Sequence, residues 1–250
     1  MIHIKNRAAI EKMRIAGQKL ANIMTEVSQI LVPGMNTLEI DTYIEKKMRV
    51  AGLVPECIGY AGYKHATLVS LNDVIVHGVP SEKIILKSGD FVKIDVVGSY
   101  KGYCVDMARP YFIGEVNEIA KRLAAVAQVS LDKAIQLATP GRHLSDLSAV
   151  IQKEVEAEGF GIVRDFAGHG IGKNIHEEPD IVNYGKPGKG PLLREGMTFA
   201  IEPMITEKGY KVIIMEDGWT AKTADGGLAA HVEDTIVVLK NGPEILTRVG

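Results

Sequence analysis

The sequence predicts an α+β domain built by duplication, with two halves in pseudo-two-fold relation and a central antiparallel sheet covered by helices. Three observations predict it. The stretch Leu86 to Asp95 reads against Leu193 to Glu202 without a gap, and each ends on a lone carboxylate inside an apolar run. Upstream, at the same offset, Pro33-Gly34 reads against Pro140-Gly141 and Gly52 against Gly159, while Ile40, Tyr43, Ile44 and Met48 fall on Leu147, Val150, Ile151 and Val155. Helix-period and β-rich segments then recur in both halves, as a layered α+β domain requires. A unit this long, present only twice, is not a solenoid, which stacks three or more shorter copies. We expect one domain over residues 1–250, with the repeat at 33–113 and 140–239 and a cleft between its halves. Asp95 and Glu202 would face that cleft from equivalent places.

The elements follow in order. Ile10, Met13, Gly17, Leu20, Met24, Val27 and Leu31 step by three and four, which predicts an amphipathic helix over residues 7–31, stopped by Pro33-Gly34. A coiled-coil seam fits less well, because the stripe is short and carries a glycine. A second helix over 37–51 ends before Gly52, and helices over 116–138 and 144–158 repeat the arrangement. The β-rich segments are 67–71, 74–76, 91–97, 103–113, 198–205, 211–216 and 231–239. Two of them, 91–97 and 103–113, flank the turn-forming Gly98-Ser99-Tyr100-Lys101-Gly102 and predict a hairpin. With the turn centred between Tyr100 and Lys101, Asp95 would oppose Asp106, their Cβ atoms about 4.5–5.5 Å apart. Like charges so placed destabilise a sheet unless a proton or a cation lies between them.

Composition excludes several classes. The 250 residues are 46% hydrophobic and 24% charged, enough for a large core. A formal net charge of −2 gives no electrostatic case for nucleic acid or an anionic membrane as partner. Two cysteines, Cys57 and Cys104, make no disulfide framework and suit a reducing compartment. Neither a basic segment leading into an apolar one at the N-terminus nor an apolar run long enough to span a bilayer occurs, so a cytoplasmic location is expected.

The second half adds candidate donors. His169 stands among the glycines of Gly168-His169-Gly170-Ile171-Gly172, which favour no helix and let the backbone approach a neighbour closely. A histidine in such a loop is more often structural than a ligand when taken alone. Glu233 interrupts the strand-like His231-Val232-Glu233-Asp234-Thr235 with an acid where a core residue belongs. One buried acid needs a partner, and several converging acids need metal. Asp95, Asp106, Glu202 and Glu233 with His169 give four negative charges, the balance for two divalent cations. Oxygen-rich ligation with one nitrogen and no thiolate suits catalytic manganese, iron(II), cobalt or zinc better than structural zinc. A pair of such ions clamps and acidifies a water, which points to hydrolysis of an acyl derivative.

These residues, together with Ser70-Leu71-Asn72, His77-Gly78-Val79-Pro80, His176-Glu177-Glu178-Pro179 and Ile201-Glu202-Pro203, resemble the methionine aminopeptidases of type I over the whole chain. That resemblance implies the pita-bread fold and removal of N-terminal methionine ahead of a small second residue. It implies a dinuclear centre in which Asp106 and Glu233 bridge both ions, Asp95 holds one, and His169 with Glu202 completes the other. It also implies Glu202 as general base, His176 at the scissile carbonyl, and His77 on the substrate backbone beyond it. Cys57, Tyr60, Tyr63 and Trp219 match positions lining the methionine slot. Ile175 stands where a bacterial relative often has phenylalanine, and Leu68 where one often has cysteine, which leaves the slot apolar but alters its walls. The expected partners are N-termini of nascent chains, with the ribosome a further candidate and the chain acting as a monomer. Two other readings differ in class or substrate. Proline-directed relatives usually carry a further N-terminal domain, and a noncatalytic binding protein on this fold would have lost ligands that are all present here.

Overall fold

The computed structural model describes residues 1–249. Four helices carry the apolar stripes that the sequence predicts: α1 (Arg7–Ile30), α2 (Thr37–Val50), α3 (Glu118–Leu137) and α4 (Leu144–Ala157). Each starts where a side chain satisfies a free backbone N–H. The Asn6 side chain accepts from Ala9 N at the head of α1, and Asn117 accepts from Ala120 N at the head of α3. Asn36 and Glu39 form a reciprocal capping box on α2. One face of α1, through Met13, Leu20, Met24 and Val27, is fully buried beneath the sheet together with Ile40, Ile44 and Met48 of α2. The other pair, α3 and α4, makes a second core around Leu123, Leu131, Leu147 and Ile151.

Fifteen strands follow the chain order: β1 (Val54–Pro55), β2 (Thr67–Leu71), β3 (Val74–Val76), β4 (Phe91–Tyr100), β5 (Tyr103–Phe112), β6 (Gly161–Ile162), β7 (Gly168–Gly170), β8 (Glu177–Ile181), β9 (Thr198–Ile201), β10 (Met204–Thr206), β11 (Val212–Ile214), β12 (Ala221–Thr223), β13 (Ala229–His231), β14 (Glu233–Leu239) and β15 (Gly242–Ile245). Nine form one antiparallel sheet in the order β1-β4-β5-β14-β9-β7-β8, with β2 beside β4 and β15 beside β14. Two three-stranded sheets, β13-β10-β6 and β11-β12-β3, flank it.

The duplication is visible in the hydrogen bonds. Gly34 N donates to Leu86 O and Leu86 N to Met35 O; in the second half Gly141 N donates to Leu193 O and Leu193 N to Arg142 O. The isolated bridges Asn36–Ile85 and His143–Leu192 are related in the same way. Each half thus pins the turn between its two helices to the strand-entry loop. The halves meet where β5 pairs with β14, and the repeated strands β4 and β9 lie on either side of that seam.

Two expectations are corrected here. Asp95 faces Ala108, not Asp106, which pairs with Val97. Strand β4 runs through Gly98 and Ser99 to Tyr100, and the turn shrinks to Lys101-Gly102, both with positive φ (49° and 74°), as a tight hairpin of twisted strands requires. The register is offset by two, and an even offset returns every side chain to its expected face. The segments 198–205 and 231–239 are each broken, at Glu202-Pro203 and at Val232, so that β10 and β13 leave the large sheet and pair with each other. Pro203 has no N–H to continue the ladder. Sequence reading also did not resolve the short strands β7 and β8, whose glycines and proline resemble a loop.

Candidate metal centre and substrate cleft

Strand pairing alone brings the five predicted donors to one face. Asp95 and Glu233 both lie opposite Ala108, from its two neighbours, and Asp106 is two residues from Ala108 on the same strand. On the far side, Ala200 lies between Thr235 and His169, and Glu202 follows Ala200 by two. Residues directly opposite, or two apart along a strand, share a face. The sheet therefore converges four carboxylates and an imidazole from five strands or strand ends.

Four of the five donors, all but Asp95, are held from behind. Thr235 Oγ1 accepts from Asp106 N and donates to Asp106 O, both at 2.8 Å, stitching β5 to β14 at the ligand. Arg109 donates to Glu233 O and, at 2.6 Å, to Asp234, which is fully buried and also receives Arg248 and Thr247. Asn183 donates to Glu202 O at 2.9 Å. His169 Nδ1 donates to Gly170 O at 2.9 Å, which leaves Nε2 bare towards Asp106 and Glu202 at 3.8 and 3.6 Å. The flanking glycines are a packing requirement. A Cβ on Gly168 would lie 2.5 Å from Ala200 O, and one on Gly170 only 2.3 Å from Glu178 O.

Burial makes this cluster unstable in its bare form. Asp95 Oδ1, Asp106 Oδ1 and Glu233 Oε1 are buried without a hydrogen-bond partner. Burial, then the neighbouring carboxylates, pushes Asp106 and Glu233 well above the usual carboxylate range; burial does the same to Glu202 and takes Asp95 to about 6. Burial likewise drives His169 down to about 4, so the ring is a neutral donor at neutral pH. Orphaned oxygens, mutually repelling acids and an uncharged imidazole are the donor chemistry of hard or borderline divalent cations. Asp106, His169 and Glu233 offer one set of converging ligand atoms, and Asp95, His231 and Glu233 another.

A cleft opens over the cluster, walled by Cys57, Tyr60, Tyr63, Leu68, Ile175 and Trp219, with His77 and His176 at its lip. Every predicted pocket residue lines it. Tyr63 packs at a tilt against Trp219, 4.8 Å between centroids, and donates from its hydroxyl to Thr67 O. Burial pushes the Cys57 thiol well up, so that wall stays uncharged. His77 has a left-handed backbone (φ 61°), rare for a residue with a Cβ, and packs edge-on against Phe166. The ring of His176 lies 4.2 Å from that of His169, and its Nδ1 is 2.8 Å from the Tyr60 hydroxyl.

The loop that presents Ile175 and His176 is braced from the other end of the chain. Lys5 Nζ meets Glu177 at 2.6 Å with both side chains almost wholly buried, and the same carboxylate accepts from Lys173 N and Asn174 N. Sequence reasoning passed over this pair, whose members are too far apart for any periodicity to connect. It also passed over Phe166 and His231. For the last a signal existed, since His231 precedes Glu233 by two and so shares its face.

The comparisons accord with this geometry. The model of metallopeptidase family M24 matches residues 11–240. A methionine aminopeptidase of Clostridium acetobutylicum is 42% identical, with 99% of each chain covered. The crystal structure of a methionine aminopeptidase from Thermotoga maritima superposes with a TM-score of 0.97 at 45% identity, covering 99% of this chain and all of that one. An X-Pro aminopeptidase from the same organism gives a TM-score of 0.78 at 26% identity, and only 63% of that longer chain is covered. The chain belongs to metallopeptidase family M24, in its methionine aminopeptidase branch.

Proposed function

We propose that this protein removes the N-terminal methionine from polypeptides with a small second residue, by metal-assisted hydrolysis in the cleft. The observation that carries this reading is the position of the five donors, which converge beneath a slot with apolar walls. Asp95, Asp106, His169, Glu202 and Glu233 would hold two divalent ions, chosen among cobalt, manganese, iron(II) and zinc, which when bound acidify a water and polarise the substrate carbonyl. The rest is the work of the side chains. Glu202 is placed to take the water's proton and return it to the leaving amine. The Tyr60 hydroxyl, donating to His176 Nδ1, leaves the ring its proton on Nε2, so His176 is a donor towards the carbonyl oxygen as negative charge grows there. His77 reaches the substrate backbone beyond the scissile bond.

Cys57, Tyr63, Ile175 and Trp219 suit an unbranched, flexible thioether. Ile175 is smaller than phenylalanine, so leucine or norleucine in first place should also enter. No helix among the described residues is long and apolar enough to cross a membrane. Our reading places the enzyme in the cytoplasm as a monomer acting on nascent chains, where the ribosome is the natural point of encounter. The test compares release from Met-Ala-Ser, Ala-Pro-Ala and the dipeptide Ala-Pro at equal concentration. Methionine should be released from the first, and N-acetylation should abolish cleavage. Preferential release of alanine ahead of proline would replace this reading with the proline-directed one.

A further inference from the structure

Among the imidazoles at the centre, His231 lies outside the five predicted donors, although its ligand atom converges with those of Asp95 and Glu233. It ends β13, is buried to 1% exposure, and its Nε2 has no hydrogen-bond partner. That nitrogen lies 3.5 Å from Glu202 Oε2 and 3.8 Å from Glu233 Oε2. His169 stands at the other oxygen of the same carboxylate, with Nε2 3.6 Å from Glu202 Oε1. Glu202 is therefore bracketed by two rings, one on each oxygen.

The two rings are not equivalent. Gly170 O takes the Nδ1 proton of His169 and turns its Nε2 lone pair outward, as for a ligand. No hydrogen bond ties Nδ1 of His231 among the described residues, so its proton is free to sit on Nε2, where two carboxylates wait to accept it. A buried nitrogen facing anions is satisfied as a donor and left exposed to repulsion as a bare lone pair. We propose that His231 is a positioning residue: its Nε2–H holds Glu202 Oε2, so that Oε1 stays on the side of His169 and the carboxylate keeps the attitude that proton transfer needs. The proposal rests on the peptidase reading above and adds a sixth side chain to the five-donor centre.

The test separates donor from ligand. H231Q keeps an N–H donor but is a poor metal ligand, whereas H231L keeps neither. Both variants and the native enzyme are titrated with cobalt(II) by calorimetry and assayed on Met-Ala-Ser. We expect two cobalt ions in all three proteins, a loss of about 10–100-fold in kcat for H231L with KM little changed, and recovery of most of that loss in H231Q. Equal losses in the two variants, together with loss of one cobalt ion, would make His231 a ligand and overturn the proposal. Native kcat in H231L would overturn it also. Should circular dichroism show H231L unfolded, H231A is judged by the same criteria. A native enzyme that binds no cobalt or releases no methionine overturns the peptidase reading and this assignment with it, whereas a normal native enzyme confines any failure to His231.

Discussion

The hydroxyl of Tyr60 lies 2.8 Å from Nδ1 of His176, and when that hydroxyl donates, the ring keeps its proton on Nε2. Replacing Tyr60 by phenylalanine leaves the tautomer unfixed. The expected cost is one ordinary hydrogen bond, about 1 kcal/mol or roughly a fivefold drop in kcat. His176→Ala removes the donor itself and should cost about 10²–10³ in kcat with both metals retained. Steady-state kinetics beside a metal count checks both, and loss of metal in H176A would show the residue to be a ligand.

Asp106 and Glu233 are the acids most crowded by their neighbours, so their removal should affect metal and fold in opposite directions. D106A or E233A should abolish binding of the ion pair. The metal-free protein should melt no lower than the native apoprotein, because one of several buried, mutually repelling carboxylates is gone. Elemental analysis and calorimetric melting provide the measurement. Loss of cooperative melting in both variants would instead show a metal site on which the fold depends.

Raised carboxylate pKa values make metal loading a proton-releasing reaction. Asp95 titrates near 6, and Asp106, Glu202 and Glu233 lie above the usual range, so the metal-free cluster retains protons near pH 6 that divalent ions displace. The sign follows: affinity rises as pH rises through these values and falls as pH is lowered. Calorimetric titrations in two buffers of different ionisation enthalpy count the protons. A release of none at pH 6 would mean that the acids are already ionised in the empty site. The same groups favour the apoprotein at low pH, an advantage lost as pH rises through their folded-state values, near 6 for Asp95.

The Lys5–Glu177 pair is buried, and breaking it from one side strands a charge. K5M or E177Q should lower stability by about 3–5 kcal/mol, while K5M/E177L, which removes both charges, should cost less than either single change. Urea denaturation measures this. In K5M the metal count should hold while kcat falls, because the loop that carries His176 loses its anchor; additive losses in the double variant would show no coupling between the two.

The site was more legible in the sequence than the strands that build it. Asp95, Asp106, Glu202 and Glu233 are visible because an acid inside an apolar strand is costly, and cost leaves a mark in composition. Their relative register was not visible. Gly98 reads as turn material, yet it lies inside β4, where a Cβ would meet the methyl group of Met48 at 3.0 Å. Helices α1 to α4 were legible almost to the residue, since their stripes and caps are local. Short strands such as β7 and β8 were not, because pairing with neighbours defines them and their own side chains do not. His231 was missed for another reason: a histidine in a strand is cheap to bury neutral, and its one mark in the sequence is its place two residues before Glu233.

The brace between Lys5 and Glu177 also sets an order of events during biosynthesis. A growing chain emerges with residue 5 long before residue 177, and Lys5 N must further wait for Gly196 O before its own backbone is held. Until then the loop of His176 has no anchor, and Glu233 is later still. An elongating copy therefore lacks both the Trp219 wall of the cleft and the last donor, Glu233, until late in synthesis, and cannot trim its neighbours, or itself, before those residues have been made.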